Sequence, residues 1–114
     1  MSDCLFCRIV ARQVPAEIIA DEPTALAFRD INPQAPTHLL VIPKQHIPRV
    51  SDLTEGNAQA ATDLILVANR LAKQLGFAEN GYRLVINCGP HAGQTVWHLH
   101  LHLLGGRAMA WPPG

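Results

Sequence analysis

The densest chemistry in the chain is His98-Leu99-His100-Leu101-His102, followed by Leu103 and Leu104. Apolar and polar residues alternating with a period of two predict a half-buried β-strand. Same-face side chains on a strand recur about every 6.6 Å, so the three imidazoles should form a row while Leu99, Leu101 and Leu103 point into an apolar layer. Imidazole nitrogens can attack phosphorus, move protons or bind a transition metal. The alternative is a solvated strand face that happens to carry histidine three times.

Two other segments carry chemistry. Gly89-Pro90-His91-Ala92-Gly93-Gln94-Thr95 runs into the histidines, and with Asn87 it offers an amide, two flexible backbone positions and a hydroxyl. Small residues let backbone N–H groups approach an anion, so a phosphate would fit, although such a loop is also an ordinary hairpin connection. At the start of the chain, Cys4-Leu5-Phe6-Cys7 is a Cys-x-x-Cys pair. That spacing suits tetrahedral zinc, which asks for two further ligands. Two unrelated reduced thiols and a redox pair are the other readings; a redox pair normally sits in a βαβ context absent here.

The elements that must position these groups can be read along the chain. Residues 4–14 predict a short helix ending before Pro15. Glu17–Ala20 and Ala25–Phe28 flank Asp21-Glu22-Pro23-Thr24 as a hairpin, and His38–Pro43 is a compact apolar strand with His38 at its entrance. Ser51 or Asp52 is expected to cap a helix carrying Ala61, Leu64, Ile65, Ala68, Leu71, Ala72 and Leu75, with Gly76 as its stop. Leu66 and Val67 widen its apolar surface beyond the stripe of about 100° that covers one sheet. This favours a homodimer over a helix sunk deep in its own fold, because a small domain has little with which to cover a second face. Residues 82–88 form the next strand, and the whole reads as α+β with mostly antiparallel neighbours.

Composition narrows the partners. A chain of 114 residues suits a single domain, and 9 Lys plus Arg against 9 Asp plus Glu leave no basic footprint for a long nucleic acid. Any nucleotide ligand should be small. Met1-Ser2-Asp3-Cys4 lacks the basic and apolar regions of a leader, and no run approaches the roughly 20 apolar residues of a membrane span. Three cysteines without such a leader suggest reduced thiols or metal ligands in a cytoplasmic protein; Cys88, in an apolar run, reads as a small buried hydrophobe.

The segment His98–Leu104 matches the histidine-triad motif, His-φ-His-φ-His-φ-φ with φ apolar. The chain resembles the HINT branch of that superfamily over nearly its whole length. The resemblance extends to Asp30–His38, Val41-Ile42-Pro43-Lys44, Gly93-Gln94-Thr95-Val96, Gly105-Gly106-Arg107 and Trp111-Pro112-Pro113-Gly114. It implies one domain over residues 1–114, a five-stranded antiparallel sheet with one long and one short helix, and pairing of the sheet across a homodimer. It also implies hydrolysis of purine nucleoside phosphoramidates or acyl-adenylates through a nucleotidyl-histidine.

By the same resemblance His100 is the nucleophile, His102 the neighbouring phosphate-binding or proton-handling residue, and His38 a fourth histidine that supports the row. Asn87, Gly93 and Thr95 are similar to phosphate and leaving-group contacts, with Thr95 standing where HINT proteins usually carry serine. Asp30 resembles the carboxylate that receives the ribose hydroxyls, an acceptor-only group suited to two O–H donors. Phe6, Phe28 and Ile31 resemble the wall of the base pocket, and Trp111 a C-terminal tryptophan reaching the partner's site; as bare sequence these are core residues and a tail anchor. In related proteins a Cys-x-x-Cys pair is completed by histidines corresponding to His46 and His98, which would make Cys4, Cys7, His46 and His98 a structural zinc site. The competing functions are a dinucleoside polyphosphate hydrolase or nucleotidyl transferase, and a non-catalytic nucleotide- or zinc-binding interaction protein.

Overall fold

The computed structural model describes residues 3–114; the reading of Met1 and Ser2 as part of a leader-free start lies outside them. Five strands, β1 (Ile18–Asp21), β2 (Ala25–Arg29), β3 (Thr37–Pro43), β4 (Tyr82–Val85) and β5 (Leu101–Gly105), form one sheet in the order β1-β2-β3-β5-β4. Every neighbouring pair is antiparallel. The helices are α1 (Leu5–Val10) and α2 (Gln59–Gln74). The expected α+β architecture is what the chain forms. Among the described residues no helix is long and apolar enough to cross a membrane.

The two faces of the sheet follow from strand periodicity. On one side Leu39, Val41, Leu101 and Leu103 pack with Leu64, Val67, Ala68 and Leu71 of α2. On the other Leu26, Phe28, Leu40 and Ile42 pack with Phe6 and Ile9 of α1. Fully burying a side chain such as Leu64 or Leu103 stabilises by about 1.5–3 kcal/mol, so these two layers set the register. In that register His38 lies opposite Leu104 and His102 opposite Leu40, on the α1 side. The apolar pattern therefore puts His38 and His102 diagonally on one face, beside α1.

The histidine strand is shorter than its alternation predicts. It begins at Leu101, and Leu101 is paired with Val41. One step further Leu99 would face Pro43, which has no N–H to donate, and the Leu99 N–H goes instead to the Ile47 carbonyl at 2.6 Å. Residues 98–100 thus bend away from the sheet, and β4 stops at Val85, opposite His102. The expected strand 82–88 loses its last three residues for the same reason.

Helix α2 also starts later than its expected cap. Asp52 accepts the Arg49 N–H at 3.0 Å, but it closes a separate 3₁₀ turn over Val50–Asp52. Thr54 and Asn57 then bond one another locally, competing with helix, and no side chain caps Ala58. At the other end Gly76, with φ of +87°, carries the chain into a turn in which the Phe77 N–H reaches the Ala72 carbonyl at 3.1 Å. This stop is as expected. Helix α1 ends at Val10, four residues short of the predicted span.

Phe77 then packs over the end of β5. A methyl on Gly105 would meet the Phe77 ring at 2.3 Å. Gly105→Ala should therefore destabilise the fold by about 1–3 kcal/mol, read as a lower urea midpoint at unchanged slope, and Phe77→Leu in the same chain should restore part of the loss. An unshifted midpoint would mean that the ring moves at no cost.

Candidate active site and metal centre

The three triad histidines do not form one row. His100 and His102 do stand together, with ring centroids 5.1 Å apart, and His38 extends the group, 5.2 Å from His102. His98 leaves it. Fully buried, its ring packs 5.1 Å from His46 and lies beside Cys4 and Cys7. The bend that ends β5 at Leu101 is what sends this ring to a different site.

Hydrogen-bond chemistry then assigns the protons. A carbonyl oxygen only accepts, so the 2.8 Å contact between His100 Nδ1 and the His98 carbonyl requires a hydrogen on Nδ1. Neutral His100 is left with its lone pair on Nε2, the arrangement a nucleophile needs. Phe6 packs edge-on against this ring at 5.2 Å, holding its plane.

His38 has the opposite tautomer. Its Nδ1 accepts the Gln34 N–H at 3.0 Å, so its hydrogen is on Nε2, which lies 2.9 Å from His102 Nδ1 and 3.4 Å from an Asp30 carboxylate oxygen. His102 receives that hydrogen and presents its own on Nε2. This atom is buried with no partner among the described residues, a donor awaiting an acceptor. Burial chiefly, then the charges of His100 and His38, push the His102 pKa down to about 4, against an opposing pull from Asp30. His38 is lowered by burial, again opposed by Asp30. Both are neutral at pH 7, and the one hydrogen on His38 Nε2, lying toward His102 with Asp30 beside it, fixes the His102 tautomer.

These histidines open into a cavity of about 360 Å³ between α1 and the sheet. Phe6, Phe28 and Leu40 give it apolar walls, and Asp30, Thr95, His100 and His102 supply polar groups. Such a volume, apolar with a few convergent polar atoms, suits a small organic ligand. Phe6 and Phe28 are core residues and cavity wall at once; Ile31 lines the cavity while fully exposed. One Asp30 oxygen accepts the Asn32 N–H at 2.8 Å, which orients the carboxylate. Asn87 and Gly93 do not line the cavity, and Trp111 stands exposed outside it.

Several contributors lack a sequence signature. Val14, Pro15 and Ala16, just past α1, also line the cavity. Buried Gln94 accepts the Gly89 N–H at 2.9 Å and donates to the Pro48 carbonyl at 2.7 Å, fastening the loop ahead of Thr95 to the chain after β3. Gln34 acts through its backbone, which no side-chain motif records.

Two groups of metal-capable side chains converge, Cys4, Cys7, His46 and His98, and Asp30, His38 and His102. Their tautomers separate them. His98 Nε2 donates to the Pro43 carbonyl at 2.8 Å, which leaves Nδ1 with its lone pair toward the sulfurs. Burial keeps this ring neutral by lowering its pKa, the form a metal ligand needs. His98 Nδ1 lies 3.3 Å from Cys4 Sγ, 3.5 Å from Cys7 Sγ and 3.2 Å from His46 Nδ1, and His46 Nδ1 lies 3.3 Å from Cys7 Sγ. A tetrahedral zinc ion would set about 3.3 Å between two nitrogens and about 3.6 Å between nitrogen and sulfur. The four residues fit a metal. In the second group His38 Nε2 must keep its hydrogen because Nδ1 is occupied, so that group fits a hydrogen-bond network that orients His102 instead.

A model of the HIT domain matches residues 11–109. Over 107 residues the chain is 47% identical to the purine nucleoside phosphoramidase of Escherichia coli, covering 94% of this chain and 90% of that one. Among solved structures it superposes on a HIT family hydrolase from Legionella pneumophila with a TM-score of 0.96 and 49% identity, covering 98% and 100% of the two chains. It also superposes on a Zn-bound histidine triad family protein from Mycobacterium smegmatis with a TM-score of 0.78 and 34% identity, covering 92% and 76%. With its domain matched over most of its length and its histidines held in working tautomers, the chain belongs to the HIT family.

Proposed function

We propose that the protein is a hydrolase that cleaves the P–N bond of purine nucleoside 5′-phosphoramidates, and by the same chemistry acyl-adenylates, through a nucleotidyl-histidine on His100. The observation that carries this is the hydrogen bond from His100 Nδ1 to the His98 carbonyl, which leaves Nε2 as a free nucleophile at the cavity wall. A binding module needs no such lone pair. The similarity to the phosphoramidase of Escherichia coli supports the same class.

In the first half-reaction His100 Nε2 bonds to phosphorus and the P–N bond breaks. The electron pair leaves with the amine nitrogen, which takes the hydrogen offered by His102 Nε2. In the second half water adds to phosphorus, its proton returns to His102, and the pair of the P–His100 bond returns to Nε2, releasing the nucleoside monophosphate. The His38 hydrogen, with Asp30 beside it, holds His102 in the tautomer that offers Nε2–H, Thr95 contacts the leaving group, and Asn87 and Gly93, which stand outside the cavity wall, are assigned to the phosphate by the family resemblance. Asp30 also accepts the ribose hydroxyls, with Ile31, Phe6 and Phe28 against the base.

Zinc held by Cys4, Cys7, His46 and His98 is the structural part of this reading. Two thiolates and two imidazoles select zinc over magnesium or calcium, and bound there it would tie α1 to the residues ahead of β5. Thiolate ligands suit a reducing compartment, the cytoplasm. Ile65 and Leu66 stand exposed on α2 and β4 is an edge strand, which favours a homodimer in which Trp111 reaches the partner.

Three experiments test this. Mixed with adenosine 5′-phosphoramidate and quenched, the wild-type protein should carry an adenylyl adduct by mass spectrometry; His100→Ala should carry none, lose turnover on the order of 10³-fold or more, and still bind AMP. Retained turnover would sink the covalent route. Asp30→Asn should weaken ribonucleotides far more than 2′-deoxyribonucleotides in KM, because a neutral amide replaces charge-assisted bonds to the diol; equal losses would make Asp30 purely structural. Protein purified without chelator should hold close to one zinc per chain, and Cys4→Ser should lower Tm before it lowers activity. Zinc below a few tenths per chain, with both thiols titratable, rejects the metal site.

A further inference from the structure

Residues 30–36, between β2 and β3, act on the cavity histidines through one main-chain group, the Gln34 N–H on His38 Nδ1. Without that bond His38 is able to carry its hydrogen on Nδ1. Its Nε2 would then accept from His102 Nδ1 across the 2.9 Å contact, and His102 Nε2 would turn from donor to acceptor at the cavity. Asp30, 3.4 Å from His38 Nε2, opposes that reversal but belongs to the same segment. The place of residue 34 therefore decides which hydrogen the cavity sees.

Inside the segment the bonds are local: the Asn32 N–H to Asp30, and the Gln34 side chain to the Asn32 carbonyl at 3.1 Å. Neither ties residue 34 to the sheet, and Pro33 and Pro36 have no N–H to help. The tie comes from the turn after β5. Arg107 Nε donates to the Gln34 carbonyl at 3.0 Å, and its Nη1 donates to the Ala108 carbonyl at 3.0 Å, which fixes the guanidinium. Pairing of Thr37 with Gly105 lays this turn beside the segment. Gly106, with φ of +94°, closes the contact, since a side-chain carbon there would stand 2.9 Å from Pro36 Cβ.

We propose that Arg107 is a positioning residue for the reaction, which holds Gln34 against His38 from outside the cavity and so keeps His102 a donor. The inference rests on the phosphoramidate reading above and deepens it. Arg107 is itself exposed and touches none of the reacting groups, so its effect runs through the tautomers of two rings.

The test uses two substitutions of similar shape. Arg107→Met and Arg107→Gln set a methyl carbon and an amide nitrogen where Arg107 has Nε, so they differ chiefly in the donor. Ring nitrogen-15 spectra of the wild type at pH 7 should place the hydrogen of His38 and that of His102 on Nε2. In Arg107→Met the two nitrogens of each ring should move toward a common average, and Arg107→Gln should keep them apart. For adenosine 5′-phosphoramidate, kcat should fall about three- to tenfold in Arg107→Met, the worth of one hydrogen bond, and most of it should return in Arg107→Gln. KM should change little, because the Asn32 N–H still orients Asp30. Wild-type spectra in Arg107→Met, a loss carried by KM alone, or an Arg107→Gln as slow as Arg107→Met overturns the proposal. If the wild type turns over no phosphoramidate, that reading has failed, and the spectra alone decide the positioning role. Should Arg107→Met not fold, Gly106→Ala pushes the same segment through Pro36; averaged ring nitrogens there support the coupling, and wild-type spectra overturn it.

Discussion

One residue, His98, is used twice, and the rest of the site depends on it. Its backbone carbonyl takes the hydrogen of His100 Nδ1, and its ring, turned by the same bend, donates from Nε2 to the Pro43 carbonyl. The first bond sets where the His100 lone pair lies; the second sets which nitrogen faces Cys4, Cys7 and His46. Neither bond could form if residues 98–100 continued β5, because a strand would spend the His98 carbonyl on a neighbour or on solvent. Pro43, lacking an N–H, is what ends the pairing and releases the segment.

The same rule of proton placement separates two clusters that look alike by composition. Each brings histidines together with acidic or thiol groups within coordination range. In one, a backbone carbonyl holds the hydrogen of His98 on the far nitrogen, so the near nitrogen is a ligand. In the other, a backbone N–H occupies the far nitrogen of His38, so the near nitrogen is a donor. A single main-chain group behind each ring thereby decides between metal binding and hydrogen-bond donation. The burial that keeps both rings neutral makes that decision binding, since protonation would erase the difference between the two nitrogens.

Much of this was legible in the sequence where local pattern and long-range packing agree. The alternation of β3 and the helical spacing from Ala61 to Leu75 predict elements close to those observed, because each buries one continuous apolar face. The histidine alternation misled at His98, where the deciding fact is a proline on a different strand. The Ser51 or Asp52 cap failed because Thr54 and Asn57 satisfy each other before the helix starts. Gln34 and Gln94 fall inside segments the sequence singles out, yet their roles were not legible, for another reason. One acts through its backbone, and the other is a neutral amide whose role appears only when the chain after β3 is beside it.

Helix α1 shows how strongly the two sites are tied. Six residues cannot sustain a helix alone, since nucleation costs more than one or two turns of hydrogen bonding return. Its order comes from what it touches: Phe6 and Ile9 in the apolar layer, and Cys4 and Cys7 against His98 and His46. Cys4 also closes the helix start, its sulfur accepting the Cys7 N–H at 3.4 Å. Phe6, between the two cysteines in sequence, meets His98, His100 and Phe28 edge-on. The thiols therefore set the helix, the helix sets the Phe6 ring, and that ring bounds both the nucleophile and the cavity beside it. Loosening the four-residue cluster therefore withdraws stability from α1 first and reaches the cavity wall only through Phe6, while the core on the α2 side of the sheet shares no residue with α1.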